Sequence, residues 1–524
     1  MNYFQLLVTF SAAIGGLLFG FEIGVVSQVL DMNSFGLQMH YRYQALNGTI
    51  YPCGQSANPT IYEKSQCFTP EEELTAKVTS FLLIGCIGGV LLVAFLADVI
   101  GRRWSIIMGS TFYTAGGFFQ ALAQTVPVFF VGRVVSGVGV GIMSMVVPMF
   151  IAETSPKEIR GRMTTSYQLM ITFGIFLASS INTGIILSQG ADNPTTWRIC
   201  LAIQIIPGAI LPVLMFFMPS SPSWLANVDR DDEALASIAR LRGESIDSQV
   251  VQEEFDDIKT GIELDRSHGD ASIMDLLKPG ILNRVVIVAV LQMFQQFTGI
   301  NAILYYQTSL FDKLGFGDSQ KQYFTMAMNL INFFGTFPGM FLVERLGRKT
   351  LLIAGGIGMA ISHGLICMFF IMSETNKPMA WGAVSFIATF FLCFASTWGP
   401  VVWVIQSEIF PLKVRSKGSA VGTISNWANN AIIAAVQPLM MKRIGAYTYL
   451  FFGACSVAMS LFTIIFVKET AGKTMEEIDE MFHFHESTAH NHEVEFEQKS
   501  DYPFNDAFDG KHISNVSGFS EYRE

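Results

Sequence analysis

Charge is scarce in this sequence. Only 15% of its 524 residues are Asp, Glu, Lys or Arg, whereas 51% are hydrophobic and 13% are aromatic. Ordinary soluble domains carry about 25% charged residues, so the composition argues against a soluble protein and favours a membrane protein. Much of the net charge of −10 lies at the end of the chain, where residues 483–524 hold nine acids and three bases. That segment is predicted to be a solvated tail.

Several chemical signatures are absent as well. Seven cysteines are too few and too scattered for a disulfide scaffold. The sequence shows no metal-ligand spacing, no nucleophile with a partnering base, no nucleotide-binding loop and no stretch suited to nucleic acid. We therefore predict that the chain is not an enzyme, that it needs no cofactor or metal, and that it has no nucleic-acid partner.

Long apolar runs are the dominant feature that is present. About 20 apolar residues span the ~30 Å hydrocarbon core of a bilayer, and backbone pairing in lipid favours helices for runs this long. Twelve spans are predicted, at 4–30, 74–97, 104–124, 127–152, 163–188, 199–218, 281–310, 320–344, 350–372, 378–407, 417–440 and 446–467. The first span shows no sign of a separate cleavable signal peptide. The expected fold is an all-α membrane protein.

The spans fall into two groups separated by a charged segment. The predicted domains are an N-terminal six-helix bundle at 1–218, a cytoplasmic helical linker at 219–280, a C-terminal six-helix bundle at 281–467 and a mostly disordered cytoplasmic tail at 468–524. The linker reads as amphipathic helices because charged and apolar residues alternate through it with helical spacing.

Basic residues predict the orientation. The short loops "DVIGRRW", "SPKEIRGR", "ERLGRKT" and "FPLKVRSKG" carry eleven Lys or Arg residues, and such loops face the cytoplasm. Both termini should then be cytoplasmic, and the loop at about 31–73 should be outside. That loop holds a candidate glycosylation sequon at Asn47. It also holds Cys53 and Cys67, and their spacing leaves open whether they pair.

The two halves repeat each other. "DVIGRR" from Asp98 returns as "ERLGRK" from Glu344, and "AETSPKEIRGR" around Glu153 returns as "SEIFPLKVRSK" around Glu408. In each half an acid and a basic pair stand at the cytoplasmic ends of matching helices. A parallel repeat of this kind is typical of transporters whose halves rock about a site at their interface.

The chain resembles a known family through many stretches in the same order. They are "GGLLFGFE", "DVIGRRW", "GRVVSGVGVG", "AETSPKEIRGR", "QQFTGINAILYY", "ERLGRKT", "STWGPVVWV", "SEIFPLKVRSKG", "SNW" and "KETAGKTMEEID", within residues 8–482. They resemble the sugar porter branch of the major facilitator superfamily, and most of all the fungal hexose transporters. The sequence departs from the family pattern at "PSSPSWL", which lacks the usual acid, at Lys468, where Pro is common, and at Glu22, where Asp is usual.

The resemblance implies a function. It implies the major facilitator fold and transport of a hexose of the glucose or fructose class by alternating access, as a passive facilitator or a proton symporter. It also implies a monomeric functional unit in the bilayer of the plasma membrane. The alternatives are a non-transporting sugar sensor and a porter for a pentose, a polyol or a sugar acid.

Uncharged amides in the spans suit a sugar. Amide groups both donate and accept hydrogen bonds, as sugar hydroxyls require, whereas a charge in the bilayer costs about 2.5–3.5 kcal/mol on insertion scales. The alternative role for such amides is to join helices to one another. By resemblance, the sugar-binding positions are Gln168, Gln295, Gln296, Asn301, Asn332, Trp403 and Asn426.

Helical periodicity conflicts with one pair of these positions. At about 100° per residue, Asn301 lies roughly 240° from Gln295 on a straight helix, so the two would not face one pocket. Gly299 lies between them, and we predict that the seventh span breaks there. The outer half of the span, with Tyr305 and Tyr306, could then cover the site.

Buried and cytoplasmic charges form two further predicted groups. By resemblance, Glu22 and Arg133 are candidates for proton coupling, although facilitators also carry an acid at the first position. Also by resemblance, an inner gate is predicted that comprises Arg102, Arg103, Glu153, Arg160, Glu344, Arg348, Lys349, Glu408 and Arg415. The tendency of basic residues to lie on the cytoplasmic side also explains the bases of this set, but it does not explain the acids. His363, in the middle of the ninth span, is interpreted as a packing residue whose hydrogen bonds are satisfied.

Overall fold

Long helices make up almost all of the structure. The computed structural model describes residues 3–44, 50–53, 71–267, 273–473, 477–478 and 481–482. Asn47, Cys67 and nearly all of the predicted tail lie outside these ranges. The α-helices are α1 (Tyr3–Asp31), α2 (Asn33–Gln38), α3 (Glu71–Ile100), α4 (Arg102–Ala121), α5 (Val126–Thr154), α6 (Arg160–Gln189), α7 (Thr196–Ala202), α8 (Ile205–Phe217), α9 (Pro222–Asn227), α10 (Asp231–Arg242), α11 (Gln249–Ser267), α12 (Pro279–Phe297), α13 (Ile300–Tyr305), α14 (Gln307–Lys313), α15 (Asp318–Arg345), α16 (Arg348–Thr375), α17 (Ala380–Ser396), α18 (Trp398–Glu408), α19 (Arg415–Arg443) and α20 (Thr448–Phe466).

Ten stretches in the described part of the chain are long and apolar enough to cross a membrane. Three of them are interrupted, and consist of α7 with α8, α12 with α13, and α17 with α18. The two remaining predicted spans correspond to α4 and α19, which are long but more polar. In α19, Asn426 and Asn430 are buried, so the polar side chains face protein rather than lipid. The prediction of an all-α membrane protein is confirmed.

Small residues let the helices of the first half, α1 to α8, approach one another closely. Gly20 of α1 lies against the backbone carbonyl of Ile171 in α6, and a Cβ at this glycine would overlap it. Gly89 of α3 meets the backbone of Val138 in α5 in the same way. Close backbone approach is the usual basis of helix packing in a bilayer. Lipid tails are as apolar as the side chains, so the hydrophobic effect does not drive the helices together.

The second half, α12 to α20, packs against the first through a few helices. Within it, α16 contacts α17 and α20. Across the molecule, α6 packs against α15 and α3 packs against α19, while α1 contacts α13. Helix α18 also contacts α6 across the molecule, so a ligand site shared by the two halves would lie along these contacts.

Helices α9 and α10 lie against the end of the first half that the predicted orientation places in the cytoplasm, and α11 packs on both of them. This end is called the inner side below, and the opposite end the outer side. Arg242 of α10 donates hydrogen bonds to the Thr154 carbonyl at 3.3 Å and to Gln5 Oε1 at 3.1 Å. Trp224 Nε1 donates to the Asp98 carbonyl at 2.9 Å. These helices agree with the predicted helical linker, whereas the three boundaries between the four predicted domains stay predictions.

The strands among the described residues form one small hairpin beyond the outer end of α1. Strand β1 (Arg42–Gln44) pairs antiparallel with β2 (Ile50–Pro52). Cys53, directly after β2, is disulfide-bonded, while the other cysteines in the described ranges are free. This agrees with an oxidising, outward-facing environment for the loop.

Candidate functional site

The seventh span breaks where the sequence predicts. Helix α12 ends at Phe297, and α13 begins at Ile300. Between them Gly299 has φ +83°, a left-handed conformation that glycine adopts without the steric cost of a Cβ. The break turns Asn301 back towards α12, so that its Nδ2 donates to Gln296 Oε1 at 2.6 Å. The prediction of a broken helix is confirmed, and it removes the conflict of periodicity.

Amides on α12, α13 and α19 form one hydrogen-bonded group. Asn426 Nδ2 donates to Gln295 Oε1 at 2.7 Å and to Gln292 Oε1 at 2.6 Å. Gln296 Nε2 donates to Asn426 Oδ1 at 3.0 Å. We call Gln292, Gln295, Gln296, Asn301 and Asn426 the amide cluster. Four of these five were predicted as sugar-binding residues.

Sequence reasoning missed Gln292 and its partner on α18. Gln292 Nε2 donates to Gln406 Oε1 at 2.6 Å, and Gln406 Nε2 donates to Thr423 Oγ1 at 2.9 Å. A signal for Gln292 was present, since it lies three residues before Gln295 and therefore on the same face of the helix. Gln406 offered no comparable signal, because only the packing of α18 against α12 brings it near.

The first half contributes Gln168 beside the amide cluster. A Cβ at Gly399 in α18 would lie 3.1 Å from Gln168 Nε2. Gln295 Nε2 donates to the carbonyl of the same Gly399 at 3.1 Å. Trp403 is buried, and its ring meets that of Tyr167 edge-on, with centroids 5.9 Å apart. Two predicted positions on different halves thus meet at one stretch of backbone.

Asn332 is a predicted position that, among the described residues, forms no hydrogen bond with the amide cluster. It is 1% exposed, and among the described residues no group lies within hydrogen-bonding distance of its side-chain oxygen. Its backbone carbonyl accepts from Thr336 Oγ1 at 3.1 Å, and that hydroxyl lies 3.1 Å from Thr172 Oγ1 of the first half. Asn332 is therefore a buried polar group at the interface with unused hydrogen-bonding capacity.

The predicted sugar-binding residues are closed off in this conformation. All seven are between 1% and 6% exposed, and the residues of the amide cluster hydrogen-bond to one another. A cavity of about 1030 Å³ lies on the outer side instead, with Asp31, Tyr305, Tyr306 and Tyr449 among its lining residues. None of the seven predicted positions lines that cavity.

Polar contacts close the outer side between the halves. Ser27 Oγ lies 3.0 Å from Thr308 Oγ1, and Gln28 Nε2 donates to Gln322 Oε1 at 2.7 Å. Lys321 Nζ forms an ion pair with Asp31 at 3.0 Å. The partners are nearly 300 residues apart in sequence, so the sequence alone did not reveal these contacts.

The two halves form matching ion pairs at the inner side. In the second half Arg348 contacts Glu344 at 2.8 Å and Glu408 at 2.9 Å. In the first half Arg102 contacts Asp98 at 3.0 Å and Glu153 at 3.1 Å. The internal repeat seen in the sequence therefore corresponds to a repeated arrangement of charges.

Other contacts at the inner side cross between the halves. Ser416 Oγ donates to Asp98 Oδ1 at 2.7 Å, and Arg415 Nη1 lies 4.0 Å from Glu153. Gly161 follows Arg160 at the start of α6, and a Cβ at Gly161 would overlap the Arg348 and Glu344 side chains. Four of the nine predicted gate residues thus lie at these contacts between the halves, namely Glu153, Glu344, Arg348 and Arg415. The bonds of Arg102 and Glu408 described above stay within one half.

Two predicted gate residues act within their own half. Arg103 Nη1 donates to the Met218 carbonyl at 2.8 Å, and Lys349 Nζ donates to the Ile464 carbonyl at 2.8 Å. Both bonds join helix ends in the same bundle, so these residues brace the bundles rather than bridge them. Their place in the gate stays a prediction.

A charged pair is buried inside the first half. Glu22 and Arg133 are both fully buried and form an ion pair. Gln120 Nε2 and Ser136 Oγ donate to the same Glu22 oxygen at 3.3 Å. Arg133 Nε donates to the Val78 carbonyl at 3.0 Å. Burying two charges is costly even when they pair, which suggests a role beyond stability.

The two repeated halves, the broken helix and the closed amide cluster define a membrane transporter of the major facilitator type. The family model described as "Sugar (and other) transporter" matches residues 8–482. The chain belongs to this family.

Curated relatives are similar over most of the chain. The probable glucose transporter rco-3 of Neurospora crassa is 33% identical in an alignment of 519 positions that covers 96% of this chain and 84% of the relative. Hexose transporter 2 of Kluyveromyces lactis is 32% identical, over 90% of this chain and 81% of the relative. The high glucose sensor RGT2 of Saccharomyces cerevisiae is 31% identical, over 92% of this chain and 61% of the sensor.

Solved structures of one transporter superimpose well. The proton:xylose symporter XylE bound to 6-bromo-6-deoxy-D-glucose is 28% identical, with a TM-score of 0.79 over 91% of this chain and 99% of that chain. The inward open conformation of XylE from E. coli, also 28% identical, has a TM-score of 0.67 over 91% and 99% of the two chains. The lower score agrees with the closed inner side seen here.

Proposed function

We propose that the protein carries a hexose of the glucose or fructose class across the membrane by alternating access. The observation that carries the proposal is the amide cluster, joined at Gly399 by Gln168 from the other half. Neutral amides on both sides of the interface can exchange their mutual hydrogen bonds for bonds to sugar hydroxyls as the halves separate. The names of the fungal relatives support a hexose.

Contacts on both sides of the amide cluster support alternating access. The outer contacts include Lys321 with Asp31, and the inner contacts include Ser416 with Asp98. Each set joins the first half to the second, so opening either side means breaking one set while the other remains. The halves at 1–218 and 281–467 would move as units about the buried amides.

A transport assay tests the proposal directly. Purified protein in proteoliposomes is given labelled D-glucose, D-fructose, a pentose, a polyol and a sugar acid, with L-glucose as the stereochemical control. We expect saturable uptake that is fastest for a D-hexose, and a much weaker response in Gln295→Leu and Asn332→Leu. Saturable uptake of only a non-hexose, or hexose flux unaltered in both variants, would contradict it.

The sugar sensor requires a separate test. Expression in a host that lacks hexose transporters should restore growth on glucose if the chain transports sugar. Glucose binding by the purified protein, without uptake in liposomes or growth of the host, would favour a sensor instead.

The buried Glu22–Arg133 pair favours a proton-coupled mode. A proton on Glu22 would remove its charge and weaken its hold on Arg133, so protonation would loosen α1 from α5. In a proton gradient, we expect the wild type to accumulate sugar uphill and to make the medium more alkaline. Glu22→Gln should only equilibrate sugar, whereas Glu73→Gln, at an exposed pair with Lys77, should behave as the wild type. Uptake by the wild type that is insensitive to uncouplers would indicate facilitation.

The proposal also includes the membrane setting. The basic inner loops support cytoplasmic termini, and the disulfide-bonded Cys53 supports an outside position for the loop after α1. We place the protein in the plasma membrane as a monomer. Epitope tags at both termini of intact cells should be reached by antibody only after permeabilisation.

A further inference from the structure

The break in the seventh span frees a backbone carbonyl. In a continuous helix the Thr298 carbonyl would accept from the N–H of residue 302. At the break, α13 resumes with the Ile303 N–H bonding to the Gly299 carbonyl at 3.0 Å, and no backbone N–H among the described residues bonds to the Thr298 carbonyl. Thr298 uses its hydroxyl for the Gln295 carbonyl at 2.7 Å. A carbonyl left unpaired at this depth would carry a cost, because no solvent replaces the lost bond.

His363 supplies that missing partner from α16. Its Nε2 lies 2.8 Å from the Thr298 carbonyl, and the residue is fully buried. A carbonyl oxygen can only accept, so Nε2 must carry the proton. Among the described residues, nothing lies within hydrogen-bonding distance of Nδ1, so this bond is the polar contact that holds the ring.

Aromatic rings fix the position of both partners. The His363 ring lies 4.6 Å from that of Phe390 and 5.9 Å from that of Phe452. Phe452 also packs on Gly299, where a Cβ would be only 2.8 Å from its ring. The donor, the carbonyl and the glycine hinge therefore form one packed unit, and the hydrogen bond crosses from α16 to the break.

The segment beyond this unit belongs to both the amide cluster and the outer closure. Asn301 in α13 bonds to Gln296, and Thr308 in α14 bonds to Ser27 of the first half. Tyr305 between them is 1% exposed. A change in direction at Thr298–Gly299 would displace all three residues together.

We propose that His363 is a positioning residue that sets the hinge of the outer gate. Its bond to Thr298 holds α13 and α14 in the direction that brings Asn301 to the amide cluster and Thr308 to Ser27. This inference rests on the proposed transport function and adds a positioning role to the interpretation of His363 as a satisfied packing residue.

Paired substitutions test the role. His363→Leu removes the donor, whereas His363→Gln keeps an N–H donor on a side chain of similar reach. We expect backbone hydrogen exchange across residues 300–310 to rise about tenfold in the Leu variant, as loss of one buried hydrogen bond implies, and to stay near wild type in the Gln variant. Sugar turnover should fall in parallel and be rescued by Gln. Equal behaviour of the Leu variant and wild type in both assays would overturn the inference while leaving transport intact.

A measurement on the unaltered protein tests the hydrogen bond even if the Leu variant misfolds. Nitrogen NMR of ¹⁵N-histidine-labelled protein, with His363 assigned from the Gln variant, should show a neutral ring protonated at Nε2. A ring protonated at Nδ1 alone would refute the hydrogen bond. Exchange and NMR need no sugar, so they remain informative even if the wild type transports no hexose.

Discussion

Gly161 at the inner side offers a sharp test of how the two halves close. It lies in the first turn of α6, and a Cβ there would overlap Arg348 Nη2 and Glu344 Oε1 of the second half. Those atoms cannot move freely. Arg348 Nη1 donates to Glu344 at 2.8 Å and to the Val343 carbonyl at 3.1 Å, and Nη2 donates to Glu408 at 2.9 Å. Gly161→Ala should therefore either disrupt these bonds or push the halves apart.

The magnitude follows from the bonds at stake. Hydrogen bonds to charged groups contribute about 1.5–3 kcal/mol each, and Arg348 is only 2% exposed, so water replaces them poorly. Loss of one such bond in the inner-closed state alone would shift the balance towards inner-open forms by about 10- to 100-fold. Alanine has a higher helix propensity than glycine, so its local effect would be to stabilise α6. A shift towards inner-open forms would therefore come from the contact with the second half and not from a weakened helix.

Spin-label distances across the inner side provide the assay. Labels at Glu158→Cys and Leu346→Cys, on exposed positions of opposite halves, should show a larger long-distance population in Gly161→Ala. The control is Gly184→Ala on the same helix, since no heavy atom of the described residues lies within 4 Å of a Cβ at Gly184. If the distance distributions of both variants match that of the parent, the packing of Gly161 on the charged pairs does not govern closure.

Three further predictions address the site, the outer side and the bundle packing. Asn426→Leu removes an amide that bonds to three neighbours, and in a binding titration it should raise the glucose Kd about tenfold or more. The control is Asn429→Leu, which should change the Kd little because the Asn429 amide bonds within its own helix. Lys321→Met breaks the partly exposed ion pair with Asp31. It should raise the rate at which a cysteine introduced on the outer side is labelled from outside by only about two- to fivefold. High salt should raise the labelling rate of the parent protein in the same way. Gly20→Ala should lower the melting temperature because it overlaps backbone, while Gly88→Ala, with open space at its Cβ, should not.

Local patterns in the sequence were enough to predict the architecture. The length and apolarity of a run predict a membrane helix without reference to any other part of the chain. Lipid offers the backbone no hydrogen-bond partner, so only helices and closed barrels can span it. The repeat of acids and bases predicted that the two halves would carry matching charges, whereas the pairs themselves, Arg102 with Glu153 and Arg348 with Glu408, came from the structure. The break at Gly299 was also a local property, since only a residue without a Cβ adopts that backbone angle at little cost.

Tertiary packing decided which polar groups meet. Gln292 and Gln406 lie over 100 residues apart, and the rotation of α12 against α18 sets their bond. Asn332 has the same chemistry as Asn426, yet the packing of α15 keeps it out of the amide cluster. Sequence could also not identify the hydrogen-bond partner of His363, because that partner is a carbonyl freed only by the break in another helix. Hydropathy and charge spacing act within one helix, whereas hydrogen-bond partners depend on how helices distant in the chain are turned towards each other.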